Sequence, residues 1–278
     1  MNRFLDIVGR AMIATGLLLL AFVGYQLWGT GVAESRSQSQ LQERFRSQAP
    51  ATPEYGDVVG HLLVPSIGVD KFIVAGTSYA ALERGPGLFV GSPLPGQLGN
   101  VAIAGHRTTY GAPFSRIDEL GKGDRIVIET KRGTHTYVVT GAPRIVEATD
   151  VRVVRTTDRT RAIVTLLSCH PKWTSKKRII VVGELESTTP PEPATSFLPA
   201  DPPNPVDEAL TAGWFHDPSA WPGVVALAVL LCAIPVAGRF GARRTGRRIV
   251  VWTAAATVFV PVLWLFFGQL THLLPSNL

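Results

Sequence analysis

Residues 161–185 read RAIVTLLSCHPKWTSKKRIIVVGEL. Two runs rich in Val, Ile and Thr, the composition of β-strands, flank a short basic loop. Pro171 ends regular pairing, because it has no N–H to give to a ladder. If the two runs pair as a hairpin, Cys169 and Arg178 reach the same end of one sheet. The same short, β-branched pattern recurs in VVGHLLV (58–64), NVAIAG (100–105), DRIVIET (124–130) and THTYVVT (134–140). VPSIGVDKFIV (64–74) adds one or two more strands. Only Ser78–Arg84 and Phe114–Leu120 look helical, the second ended by Gly121. Many short strands separated by Gly, Pro and Asp predict an all-β barrel or sandwich over residues 55–187.

Outside that domain the chain changes character. It is 46% hydrophobic and only 17% charged, against about 25% charged for a typical soluble domain. The deficit comes from three stretches without Asp, Glu, Lys or Arg, namely 11–28, 221–238 and 249–270. Each suits a membrane helix, which needs roughly 17–25 apolar residues. The first extends back through Ile7 and exceeds a typical signal-peptide core, and no clear A-x-A cleavage site follows Trp28. Residues 1–30 are therefore expected to be a cytoplasmic tip and an uncleaved anchor, and 221–270 a two-helix hairpin.

Basic flanks set the expected orientation. Arg3 and Arg10 precede the first span, and the loop 239–248 (RFGARRTGRR) carries five arginines and no acid. Both ends of that pattern read as cytoplasmic, which puts residues 31–220 on the outer face of the cell membrane and makes the protein multi-pass. Lying between two apolar spans, the Arg loop reads as a topology signal rather than a nucleic-acid patch, and no nucleic-acid partner is expected. Residues 31–54 are polar and read as a stalk. Residues 188–220 hold eight of the chain's prolines, Pro190, Pro191, Pro193, Pro199, Pro202, Pro203 and Pro205 dense among them, with five acids, and read as an extended spacer. Residues 271–278 form an extracellular tail.

The cysteines narrow the chemistry. Of the two in the chain, Cys232 lies within a span and reads as a small apolar residue. Cys169 has no disulfide partner in the exported domain, so an exposed compartment holds a lone thiol. A neighbouring guanidinium or imidazolium favours the thiolate, which is the nucleophilic form, and Arg donors suit a developing oxyanion. Among the six histidines, His106 stands at a strand end between glycines, in GNVAIAGHRTTYGAPF (99–114). His170 adjoins Cys169, but neighbours along a strand face opposite ways. No CxxC, HxxxH or HExxH spacing occurs, so neither a metal site nor a cofactor is expected.

GNVAIAGHRTTYGAPF, TLLSC (165–169) and an Arg nine positions after that Cys closely resemble the sortase family of cysteine transpeptidases. GPGLFVGSPLPGQLGN (85–100) resembles the segment that leads into the family's His strand. The GHRTTYG form and the preceding anchor are similar to class E sortases of actinobacteria, and the resemblance covers roughly residues 56–186. The sequence departs from the family at Ser168, where Thr is usual, and at Leu167, where a polar residue is common. The C-terminal hairpin is an addition.

This resemblance implies an eight-stranded β-barrel with short helices, carried on one N-terminal and two C-terminal transmembrane helices. It implies that Cys169 attacks the Thr–Gly bond of an LAxTG- or LPxTG-type motif near the C-terminus of an exported protein. His106 would protonate the leaving amine, and Arg178 would stabilise the oxyanion. The acceptor would be an amine of lipid II or peptidoglycan. Tyr110 is a candidate reader of the motif's second position, and Thr165 and Ser168 are candidates for lining the groove. An L,D-transpeptidase also uses an exported Cys, but its S-H-G-C order is absent here. A binding module that has lost activity is disfavoured by the retention of all three catalytic residue types.

Overall fold

A computed structural model of the chain describes residues 2–48, 53–186, 191–194 and 217–273. The α-helices among them are α1 (Asn2–Gly24), α2 (Thr30–Gln48), α3 (Tyr79–Leu82), α4 (Trp221–Thr245) and α5 (Arg248–Leu273). The strands are β1 (Val58–Val64), β2 (Val69–Ala75), β3 (Gly87–Leu88), β4 (Gly99–Ala104), β5 (Arg125–Thr130), β6 (Gly133–Val139), β7 (Arg144–Glu147), β8 (Ala162–His170) and β9 (Lys177–Leu185). The described residues form two compact units, 2–25 with 217–273 and 26–194.

The first unit holds α1, α4 and α5. Among the described residues, three helices are long and apolar enough to cross a membrane. Pro222 opens α4 within its first turn, where a missing N–H does no harm. Gly246 in the left-handed region closes α4, its N–H bonded to the Ala242 carbonyl at 3.2 Å. Aromatic edges tie α1 to α5: Phe22 meets Phe267 at 5.2 Å, and Tyr25 meets Trp264 at 4.9 Å.

The second unit is a closed barrel. Eight strands run in the order β6-β5-β1-β2-β3-β4-β8-β9, and β6 pairs with β9 to complete the ring. The two-residue strand β3 bridges β2 and β4 and is short enough to escape any pattern in the sequence. Strand β7 is a ninth. It borders the part of β9 that β6 leaves free, with Arg144 opposite Ile180, whereas the pairing of β6 with β9 runs from Tyr137 opposite Leu185 to Val139 opposite Gly183. Most pairings are antiparallel, but β4 and β8 run parallel, in register from Gly99 opposite Ala162 to Ala104 opposite Leu167.

Side chains alternate across each strand. Val164 and Leu166 of β8 enter the barrel interior beside Ile103, Ile128, Tyr137 and Val181. Leu167 points the other way, onto a second cluster with Phe89, Ala102, Ala104 and Ile180 that Val153 and Val154 cover. The two helical expectations were partly met. Ser78 caps α3 by accepting from the Ala81 N–H, whereas Phe114–Leu120 contains only a single 3-10 turn at Ile117–Glu119.

The segment expected to be a polar stalk is helical. A π-helical turn, Tyr25–Gly29, leads into α2, which reaches Gln48. Glu34, Gln38, Leu41 and Phe45 are spaced four, three and four residues apart, so they share one helical face. That face docks on the barrel. Leu41 is fully buried with Val58, Phe72, Val74 and Ala81, and Phe45 packs beside them. The Gln38 side chain accepts from the Phe72 N–H at 2.7 Å and donates to the Phe72 and Arg84 carbonyls at 3.0 and 2.8 Å. Glu34, 1% exposed, holds the Lys71 ammonium at 2.7 Å. The stalk reading of the remaining residues 49–52, most of the proline-rich spacer and the tail 274–278 lie outside the described residues. Within the spacer, Glu192 forms a bridge opposite Gln97, and its carbonyl accepts from the Leu98 N–H at 2.9 Å.

Docking of α2 makes a measurable claim. Leu41→Ala, in the full chain held in detergent micelles, should destabilise the barrel by about 2–5 kcal/mol in urea unfolding followed by fluorescence. A solvated stalk would instead leave the midpoint within about 0.5 kcal/mol of the parent.

Candidate active site

Three neighbouring strand ends build the site. Cys169 lies one residue before the end of β8, directly opposite Arg178 on β9. Facing residues of an antiparallel pair project to the same side, so thiol and guanidinium share a face. By alternation it is the outer face, shared with Leu167 and Ile180 of the second cluster. The parallel pairing of β4 with β8 ends with Ala104 beside Leu167. Two further residues along each strand bring His106 level with Cys169.

Local bonds hold this row in place. The Gly105 N–H donates to the Leu167 carbonyl at 3.1 Å, and the Ser168 hydroxyl donates to the Gly105 carbonyl at 2.7 Å. The Phe114 N–H donates to the His106 carbonyl at 3.1 Å. Position 105 must be Gly, because a Cβ there would lie 2.6 Å from the Phe114 ring. Arg178 is 6% exposed, and its Nη1 donates to the carbonyls of Ser175 at 2.8 Å and Lys177 at 3.1 Å. Its planar head is thereby oriented by its own turn.

The electrostatics leave the resting pair neutral. Burial pushes the Cys169 thiol up, and the Arg178 and Arg107 guanidiniums pull against that rise without cancelling it. Burial lowers His106 to about 4, since an imidazolium there loses its hydration. His106 Nε2 is buried with no hydrogen-bond partner among the described residues. A neutral ring nitrogen with no partner among the described residues, at the strand end next to the Cys169 strand, can accept a proton and pass it on.

The other sequence candidates separate. Tyr110 lies near His106: its ring stands 5.1 Å from that of His106, and its hydroxyl donates to Glu83 at 2.8 Å. It has a positive φ of 49°, and its N–H donates to the Thr30 hydroxyl of α2 at 3.1 Å. Gly111 follows with φ +72°, where a Cβ would meet the Glu34 carboxylate at 2.6 Å. Thr165 and Ser168, in contrast, do not line an open groove. They are 1% and 2% exposed, and the Thr165 hydroxyl donates to Asn100 Oδ1 at 2.8 Å. Asn100 in turn donates to the Val153 carbonyl at 3.0 Å. Both hydroxyls serve inside the fold, because buried polar groups must find internal partners. Trp173, by the turn after Cys169, is 55% exposed with φ 71°.

Sequence reasoning missed Arg107. It is 4% exposed and lies between the His106 loop and the Cys169 strand. Its adjacency to His106 was the available signal, but nothing in one sequence says that an Arg in a loop will be buried. No group of three or more His, Cys, Asp or Glu placed to hold a metal occurs among the described residues.

The sortase domain family profile matches residues 62–186. Sortase SrtE1 of Streptomyces coelicolor is 32% identical over 203 residues, an alignment that covers 66% of this chain and 57% of the relative. Sortase SrtE2 of the same organism is 29% identical over 208 residues, covering 66% of this chain and 82% of the relative. The chain thus spans little more than half the length of SrtE1 and most of SrtE2. The solved structure of sortase E from Streptomyces avermitilis is 33% identical, covers 50% of this chain and 93% of that chain, and superposes with a TM-score of 0.43. With the family match lying on the closed barrel that carries Cys169, His106 and Arg178, the chain belongs to the sortase family of cysteine transpeptidases and has class E sortases among its relatives.

Proposed function

We propose that this protein cleaves an LAxTG- or LPxTG-type sorting signal between Thr and Gly and joins the new carboxyl end to an amine of the cell-wall precursor. The observation that carries the proposal is the register pairing of Cys169 with Arg178 on the face that the His106 strand end borders. The three helices long enough to cross a membrane support a membrane-held enzyme. The basic flanks at Arg3, Arg10 and 239–248 support a barrel on the extracellular face, where exported proteins and lipid-linked precursor meet. Tethering there raises effective concentration with no added contact.

The chemistry follows from a neutral thiol and a neutral imidazole. When substrate binds, the Cys169 proton passes to His106, and the thiolate attacks the Thr carbonyl carbon. Arg178 is placed to donate to the oxygen as it becomes negative. Collapse of the tetrahedral species breaks the C–N bond, and His106 returns the proton to the departing Gly amine. A thioester on Cys169 remains. An incoming amine attacks it and gives a proton to His106, an amide forms, and Cys169 leaves as the thiolate that takes the proton back. The ring face of Tyr110, tilted against His106, meets the small second residue of the motif, since the hydroxyl is already engaged by Glu83.

Peptide assays test these roles. Cys169→Ala should abolish cleavage of an LAxTG peptide, and His106→Ala should lower kcat about 10²–10⁴-fold. Arg178→Lys should cost roughly 10²–10³-fold in kcat, because an ammonium lacks the fixed fork of donors. Retained cleavage in Cys169→Ala overturns the mechanism.

The pH profile is a separate test. Proton transfer from thiol to imidazole leaves the proton count unchanged, so the reactive pair is a constant fraction wherever both groups rest neutral. The kcat/KM curve should therefore be a broad plateau. Its acid limb should lie near His106's value of about 4, where the imidazole is already protonated and cannot take the thiol proton. Its alkaline limb should lie above the ordinary cysteine range, where the thiol ionises and the proton is lost from the site. A narrow bell centred between about 6 and 7 would show the resting pair to be ionic instead.

A further inference from the structure

Arg107 has no part in the steps above, yet it is among the most buried charged side chains of the described residues. Charged groups are almost never fully buried unless paired. Its Nη2 stands 2.7 Å from Asp118 Oδ1. Its Nη1 donates to the Cys169 carbonyl at 3.2 Å and lies 3.5 Å from His170 Nδ1. Its Nε is buried and has no partner among the described residues. A purely structural clasp at this place would be redundant, because Ser168 and Gly105 already join the two strand ends. A polar uncharged residue could also reach one carbonyl without desolvating a cation.

The cation acts on its neighbour. Cys169 is flanked by Arg178 from β9 on one side and by Arg107 from the segment after β4 on the other. His106, two residues past the end of β4, is the titratable group level with it on the neighbouring strand, while His170, next along β8, faces the other way and lies against Arg107. Asp118 pairs with Arg107, and the Lys172 charge acts on Asp118. Partial burial works against the Asp118 carboxylate, but its own backbone N–H and the Arg107 guanidinium outweigh it and hold the carboxyl below its usual range. Asp118 is therefore a fixed negative charge that orients Arg107 and offsets part of its field.

We propose that Arg107 is a positioning residue for the nucleophile: it pins the Cys169 main chain to the His106 loop and its charge favours the thiolate, while Asp118 orients it and tempers that charge. The inference rests on Cys169 being the nucleophile. It separates two uses of one side chain, a hydrogen-bonding fork that sets geometry and a positive charge that sets thiolate content.

The test uses the full chain in detergent micelles, with iodoacetamide alkylation at Cys169 followed by mass spectrometry across pH, and with kcat and KM for an LAxTG peptide. Arg107→Gln should move the alkylation midpoint up by about one pH unit, the scale of a single nearby charge. It should lower kcat about tenfold with KM within about twofold. Arg107→Lys should restore the midpoint but not the full kcat, because it keeps the charge and loses the fork. Asp118→Asn should move the midpoint down, because the cation is then unopposed. A residue that merely braces the fold would leave every midpoint in place. If Arg107→Gln does not fold, Arg107→Lys and Asp118→Asn decide alone. A parental midpoint in Asp118→Asn, or full kcat in Arg107→Lys, then overturns the inference. If Cys169→Ala still cleaves peptide, the nucleophile assignment itself falls. If that variant is inactive while Arg107→Gln alkylates as the parent does, only the role of Arg107 is refuted.

Discussion

The parallel pairing of β4 with β8 is the contact on which the remaining architecture depends. It joins segments some sixty residues apart, and a parallel pair cannot form through a tight turn. The intervening chain must therefore wrap through β5, β6 and β7 before β8 returns beside β4. This wrapping closes the barrel, since β6 meets β9 on the far side. The same pairing sets the His106 strand end beside Cys169. Polar ties guard both ends of the seam, Asn100 with Thr165 at one and Ser168 with the Gly105 carbonyl at the other. Thr165 and Ser168 read as groove candidates through the resemblance, and in the fold their burial makes them internal clasps.

Electrostatics at the site follow from the same placement. The strand ends are covered well enough to disfavour both an isolated thiolate and an isolated imidazolium. Two guanidiniums beside the thiol limit that penalty without removing it. The arrangement suits an enzyme with a single thiol in its catalytic domain, because a neutral resting thiol reacts slowly with oxidants while remaining one proton transfer from its nucleophilic form.

The helix α2 adds a second constraint. One face of it, from Thr30 to Phe45, bonds or packs against the barrel and against the loop that carries Tyr110. The chain segment that follows the N-terminal apolar stretch is thus structurally continuous with the His106–Tyr110 loop. Gly111 is the point of closest approach, where a side chain would displace Glu34.

By itself the sequence determined the strands with strong β-branched runs, the apolar spans, and a lone Cys with an Arg nine positions on, because these are local signals of composition and period. The resemblance of three ordered motifs singled out His106 among six histidines. Only the tertiary structure decided the rest. Strand β3 has two residues and β7 four, too few for a period to register, and each exists because a neighbouring strand offers it an open edge. The face of α2 mixes Glu34 and Gln38 with Leu41 and Phe45, so its amphipathicity is visible only against the polar groups of β2 that it satisfies. Thr165, Ser168 and Arg107 carry the same atoms buried or exposed. Which of them meets substrate and which is bound within the fold is settled by long-range packing, and the hydrogen-bond partners that packing supplies come from residues far away in the chain.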